Sequence, residues 1–234
     1  MLTVVLADAE LEMVPGRLAG HPAVRASARR RGRAPTTQLL DSSLHHTALQ
    51  GFEDGERRGR PDIVHIALLT VLDSVANQEG GVRVLVHTRN DDLITVKPET
   101  RLPRNFGRFC GLMEGLFAKG AVPEDVRLLT LEHGRTLASA LEGLEGEVVA
   151  FDLGGEAVEL PGWLASRRDL VAVIGAFPHG PFRSPVGSLC ARVVSLHEKP
   201  LMAWTAASEL LVAYRLVHRP PAAPFAGPAP AVPP

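Results

Sequence analysis

Cysteine is nearly absent: 234 residues contain two, Cys110 and Cys190. Two thiols cannot form the disulfide framework that staples small secreted domains, so a reducing, cytoplasmic setting is the expectation. Long apolar runs are missing too. None reaches the roughly 18 residues a membrane helix needs, so no membrane partner is expected. The apolar start, Met1–Ala7, has no basic lead and runs into Asp8, Glu10 and Glu12. It reads as a strand and not as a signal peptide. Net charge is almost nil, with 25 basic against 26 acidic residues. A nucleic-acid surface must therefore be a local patch. Lysine occurs only at Lys97, Lys119 and Lys199, so nearly all cations are arginines. There is no Walker loop, no Gly-x-Ser-x-Gly and no Cys–His signature. His45, His46, His65 and His87 have no Cys or carboxylate at ligand spacing, so no metal is expected and these read as structural histidines.

What remains is ordinary globular material, 45% hydrophobic and 22% charged. Apolar runs predict strands over Leu2–Ala7, Val82–His87, Leu93–Val96, Val126–Leu131, Val148–Asp152, Leu170–Ile174 and Val193–Leu196. Helical periodicity and end signals predict helices over His21–Arg31, Pro61–Ala76, Pro103–Lys119, Thr136–Leu144 and Pro200–Val217. Leu39–Leu49 fits neither pattern. Strands alternating with helices argue for an α/β fold with a mostly parallel sheet. Residues 1–218 read as one domain. The tail, residues 219–234, holds seven of the 19 prolines and reads as disordered or polyproline-like.

Four segments are candidates for chemistry. Between Glu12 and Asp41 there is no acid, while Arg17, Arg25, Arg29, Arg30, Arg31 and Arg33 give a local charge of +6. Such a stretch is either a phosphate-binding face or a solvated helix face. In Thr100–Arg108, the spacing of Arg104 and Arg108 puts both on one face at a helix start, with Arg101 just before. Cations sit poorly at a helix N-terminus, so this cluster is either a site holding an anion or an ordinary exposed helix start with mild repulsion. In Arg60-Pro-Asp62, Asp62 suits the first helical turn, where it either simply caps the helix or also holds Arg60 by a charge-assisted bond. Val173–Pro181 is a strand running into a loop with Gly175 and Gly180, where backbone can approach a ligand closely. Asp152-Leu-Gly-Gly-Glu156 is set aside as a nucleotide loop, because it lacks a third glycine and no helix follows at once.

Several stretches together resemble one family. They are Leu40–His46, Arg60–His65, Leu72–Ser74 with Asn77, Val86–Thr88, Arg101–Arg104, Phe109–Met113, Gly175–Gly180 and Ser195–Trp204, in family order across about residues 2–217. The family is the SPOUT-class methyltransferase of ribosome biogenesis that modifies N1 of a pseudouridine in small-subunit rRNA. The lack of extensions before residue 2 resembles archaeal members.

The resemblance implies a parallel sheet with a C-terminal trefoil knot, a homodimer, and S-adenosylmethionine in the knot loops. By position the cofactor residues would be Gly175, Gly180, Val193, Val194, Ser195, Leu196, His197, Glu198 and Leu201. Arg60, Arg101, Arg104 and Arg108 match RNA-contacting arginines, and Asp62 matches the acid that steadies Arg60. Arg60 and Asp62 are the candidate catalytic pair. His197-Glu198-Lys199 stands where the family has a small or amide residue and an aromatic. Ribosomal assembly proteins are further implied partners. Positioning and arginine charge would supply much of the rate, since no His or Glu in the motifs is an evident base. Two alternatives stay open: a non-catalytic rRNA-binding assembly factor, and a SPOUT methyltransferase acting on tRNA.

Overall fold

The computed structural model describes residues 1–218. The expectation about the proline-rich tail falls on residues 219–234, outside them. Strand β1 (Leu2–Ala9) is buried at all eight positions, six of them apolar and two, Thr3 and Asp8, polar. It sits between β2 (Val82–Thr88) and β7 (Leu170–Gly175) and runs parallel to both. Strands β6 (Glu147–Ala157) and β8 (Arg192–Ser195) extend this parallel half beyond β7. On the other side of β2, strands β3 (Leu93–Val96), β5 (Leu129–Glu132) and β4 (Ala121–Val122) add an antiparallel wing. The order is β4-β5-β3-β2-β1-β7-β6-β8. The sheet is thus parallel in five strands, and the Arg89–Asp92 turn reverses the chain into the wing.

Helices cover the sheet. They are α1 (Pro22–Arg30), α2 (Ser42–Leu49), α3 (Pro61–Leu72), α4 (Val75–Gln78), α5 (Phe106–Lys119), α6 (Leu137–Leu141), α7 (Leu160–Leu164), α8 (Val186–Leu189) and α9 (Ala203–His218). The undecided stretch Leu39–Leu49 contains α2, capped by Asp41, whose carboxylate accepts from Ser43 N at 2.9 Å. Two helical expectations are corrected by caps. The helix predicted over Pro61–Ala76 breaks at Asp73, because Ser74 Oγ accepts from Asn77 N at 3.1 Å and opens α4. The helix predicted from Pro103 begins only at Phe106. Asn105 caps it by accepting from Arg108 N at 3.0 Å, and His65 Nε2 donates to Pro103 O at 2.8 Å, holding that proline in the preceding loop.

Two further boundaries differ for long-range reasons. Strand β6 continues past Asp152, and its register against β8 slips between Phe151 and Glu156, both of which pair with Val194. Gly155 lies in this slip. A Cβ there would stand 2.6 Å from Val194 N, so only glycine lets the two strands pass. Strand β5 starts at Leu129, later than the predicted Val126, which is half exposed.

Candidate active site

Strands β6, β7 and β8 run the same way, and the irregular second half of β6 with the loops leaving β7 and β8 encloses a cavity of about 550 Å³. That is the place and size expected of a ligand site in an open α/β sheet. Its walls are Phe151–Gly154, Gly175 with Phe177–Phe182, and Ser195–His197 with Lys199–Leu201. Ala203 and Ala206 of α9 close one side. The wall after β8 is shaped by its own side chains. Ser195 Oγ donates to His197 O at 2.9 Å, and His197 Nδ1 accepts from Lys199 N at 3.0 Å. His197 thus serves as a turn former. Gly180 has φ +83°, a conformation that costs other residues dearly.

Of the expected cofactor residues, Gly175, Gly180, Ser195, Leu196, His197 and Leu201 line this cavity. Val193, Val194 and Glu198 lie outside the lining. Val194 is fully buried in the sheet, Val193 packs against the core on the opposite face, and Glu198 is exposed. Sequence reasoning passed over Asp152-Leu153-Gly154, which the structure brings into the wall. The glycine pair after a strand was the available signal.

A second, larger groove of about 1270 Å³ adjoins the first. It is formed by α2, the loop after it, the start of α3 and Phe106, and it shares His179, Gly180 and Pro181 with the first cavity. Arg60 and Asp62 both line it. They form a two-pronged pair, Nε to Oδ1 at 2.9 Å and NH2 to Oδ2 at 2.7 Å, as the spacing implied. The Asp62 hydrogen bond raises the Arg60 guanidinium above its already high range, against the effect of burial. The exit of the shared wall is pinned by Asp8, which follows the apolar run of β1 and takes φ +51°. Its carboxylate accepts from Arg183 N at 2.6 Å, Ser184 N at 2.9 Å and Ser184 Oγ at 2.6 Å.

Arg101, Arg104 and Arg108 are exposed, have no ion-pair partner among the described residues, and line neither cavity. Arg104 precedes the cap of α5 and Arg108 lies in its first turn, so the shared helix face expected of them is not formed. They remain exposed cations at and before the start of α5, whose first residue, Phe106, lines the groove. The acid-free stretch divides. Arg31 donates to the fully buried Glu114 at 2.6 and 2.8 Å, and Arg33 lies 3.3 Å from the same carboxylate. Arg25, Arg29 and Arg30 stay exposed without an ion-pair partner among the described residues.

The histidine pair parts at a kink in α2, where His45 leaves helical geometry (φ −114°, ψ 15°). His45 is buried between Ser27 and the Asp41 amide, while His46 lines the groove. His65 stacks on Phe109 at 4.3 Å. Among the described residues no group of three His, Cys, Asp or Glu is placed to hold a metal, and no helix is long and apolar enough to cross a membrane.

Set against known proteins, residues 4–215 match the family described as EMG1/NEP1 methyltransferase. The ribosomal RNA small subunit methyltransferase Nep1 of Thermococcus kodakarensis is 50% identical over 222 residues, spanning 91% of this chain and 96% of that protein. The protein of the same description from Pyrococcus furiosus is 49% identical over 217 residues, spanning 91% and 96%. The crystal structure of Archaeoglobus fulgidus Nep1 bound to S-adenosylhomocysteine superposes with a TM-score of 0.82 at 39% identity, covering 92% of this chain and 97% of that one. Agreement of this extent, in both sequence and fold, means that the chain belongs to the EMG1/NEP1 methyltransferase family.

Proposed function

We propose that this chain is an S-adenosylmethionine-dependent methyltransferase of small-subunit rRNA, and that its target atom is N1 of a pseudouridine. The observation that carries this reading is the shared wall. His179, Gly180 and Pro181 border both a backbone-lined cavity at the carboxyl ends of β7 and β8 and a groove holding Arg60 and Asp62. A methyl donor in the first and an RNA base in the second would meet there.

The cavity suits the cofactor. Its volume is that of a small-molecule site, its lining mixes apolar side chains with loop backbone, and Asp152 is its one carboxylate among the described residues. Gly175–Pro181, Ser195–Leu201 and Phe151–Gly154 would hold S-adenosylmethionine, which when bound supplies an electrophilic methyl group. The rest falls to the chain's own residues. Arg60, 28% exposed, offers charge to the base as it becomes anionic, or to its phosphate. Asp62 gives both its oxygens to Arg60 and so fixes one rotamer. Arg101, Arg104 and Arg108 grip phosphates near the start of α5. A base looped out of its stack fits a recessed groove better than a paired one.

We read residues 1–218 as one SPOUT-type domain, knotted in its C-terminal part, acting as a cytoplasmic homodimer alongside ribosomal assembly proteins. Membership of the family supports the knot, and the exposed Val212 and Leu216 of α9, each 56% accessible, support a partner subunit. The deciding experiment incubates small-subunit rRNA with the protein and labelled cofactor, then digests it for mass spectrometry. One methyl on N1 of a pseudouridine is expected. Absence of label would favour a non-catalytic assembly factor, and label on tRNA instead would move the substrate class.

A further inference from the structure

The wall between the two cavities has little backbone support. Ala176 N still donates to Ala7 O at 2.9 Å, and Glu10 N to Ala176 O at 3.2 Å. From residue 177 to 182 no further backbone–backbone hydrogen bond is made among the described residues. Two side chains fill that gap: His179 Nε2 donates to Glu56 O at 3.3 Å, and Arg57 makes the remaining polar contacts. Arg57 donates from NH1 to Pro181 O at 2.6 Å and to His179 O at 3.5 Å. Its guanidinium lies 3.9 Å from the Phe177 ring centroid. A single planar group therefore holds three residues of the wall.

Arg57 is itself anchored. Its Nε donates to Glu10 Oε1 at 2.7 Å, and Glu10 is fully buried just beyond β1. Arg89 donates to the other Glu10 oxygen at 2.6 Å and to Asp54 at 2.9 Å. The chain of contacts runs from the central strand through Glu10 and Arg57 to the loop. Arginine suits this place because its fork reaches a carboxylate, two carbonyls and a ring face at once. A lysine has one donor centre and cannot do all three.

We propose that Arg57 is a positioning residue for methyl transfer, holding residues 177–181 so that cofactor cavity and RNA groove keep a common wall. Its side chain also lines the larger groove, and its role is assigned through its bonds to His179 and Pro181. The proposal rests on reading the smaller cavity as the cofactor site.

Its test has a built-in control. Arg58, one residue on, is equally buried and pairs with Glu12 at 2.8 and 2.6 Å, yet contacts nothing in 177–181. Arg57→Met, Arg57→Lys, Arg58→Met and Leu196→Trp are compared with wild type. The readouts are amide hydrogen exchange without ligand and calorimetric titration with S-adenosylhomocysteine. Arg57→Met is expected to speed exchange across 177–182 and weaken binding, each by about tenfold or more, with Arg57→Lys in between. Arg58→Met is expected to leave both within about twofold while lowering the urea midpoint as much. The proposal is overturned if the Arg57 variants match wild type, or if Arg58→Met loosens the wall and binding equally. Should Arg57→Met fail to fold, Arg57→Lys decides by the same criteria. Leu196→Trp tests the underlying site. If it leaves affinity unchanged, the cavity reading fails, and the exchange data alone judge Arg57.

Discussion

Asp8 offers a direct check on how the wall's exit is fastened. Burial alone would raise its carboxyl, but hydrogen bonds from His87, Ser184 and the Arg183 and Ser184 amides outweigh it and hold the group down, from its ordinary 3.8 to about 2. Each pKa unit is worth about 1.4 kcal/mol, so this group contributes about 2 kcal/mol to folding when ionised. The folded value lies below the unfolded one. The contribution is therefore complete at pH 5 and above and drains away as pH falls through 3.8 toward about 2. Asp54 and Asp169 are also held low, by hydrogen bonds from Arg89 and from the Met1 ammonium respectively, so acid stability alone does not isolate Asp8. Asp8→Asn does. Asparagine tolerates the positive φ, keeps the shape and removes the charge. Urea unfolding followed by tryptophan fluorescence should find the variant about 1–3 kcal/mol weaker at pH 7. The gap should narrow by about 2 kcal/mol as pH falls to about 2. A gap that stays constant over that range would show that Asp8 is not the anchor inferred here.

Gly180→Val should preserve the fold yet lose S-adenosylhomocysteine binding in calorimetry by about tenfold or more, since a β-branched residue cannot hold φ +83° without moving the wall. Arg104→Ala and Arg108→Ala should each weaken binding of a small-subunit stem-loop RNA and cut its log–log salt slope by about one unit or less, with cofactor affinity unchanged. Asp62→Asn should keep part of the single-turnover methylation rate, because one oxygen can still accept from Arg60, whereas Asp62→Gly should lose more by also freeing the first turn of α3. If Asp62→Asn is as inactive as Arg60→Ala while binding RNA normally, Asp62 moves a proton and the orienting role is wrong. Burial pushes the Cys110 and Cys190 thiols up to about 12 and about 11, so the native protein should resist an aromatic disulfide reagent at pH 8 and react only on unfolding.

Much of the parallel half was legible because its strands are mostly apolar, with Arg83 the one exposed position of β2. Leu2–Ala7, Val82–His87 and Leu170–Ile174 have no rival reading, and all three lie side by side at the sheet's centre. Pro61 and Asp62 marked a helix start by local chemistry alone, and the pairing of Arg60 with Asp62 followed from two-residue spacing. What resisted reading depended on partners far along the chain. Ser74 and Asn105 are ordinary polar residues until tertiary contacts select them as caps; the Asn77 side chain donating to Pro98 O at 2.9 Å is one such contact. Arg31 and Arg33 looked like free cations because Glu114, their acceptor, lies on α5, far outside the acid-free stretch. Arg57 carried no signal, since its carbonyl partners lie more than 120 residues away.

The place of β1 has a consequence during synthesis. Leu2 pairs with Val82 on one side and with Leu170 on the other. At translation rates of about 5–20 residues per second, the second neighbour arrives roughly 10–30 s after the first strand has left the ribosome. Through that interval an eight-residue strand, buried along its whole length in the finished protein, has an unsealed edge, the kind of template that invites pairing with other chains. Sealing of the central strand is therefore a late event that waits for β7. A chain cut before Leu170 would keep its central strand open and aggregate, and would not settle as a smaller folded unit.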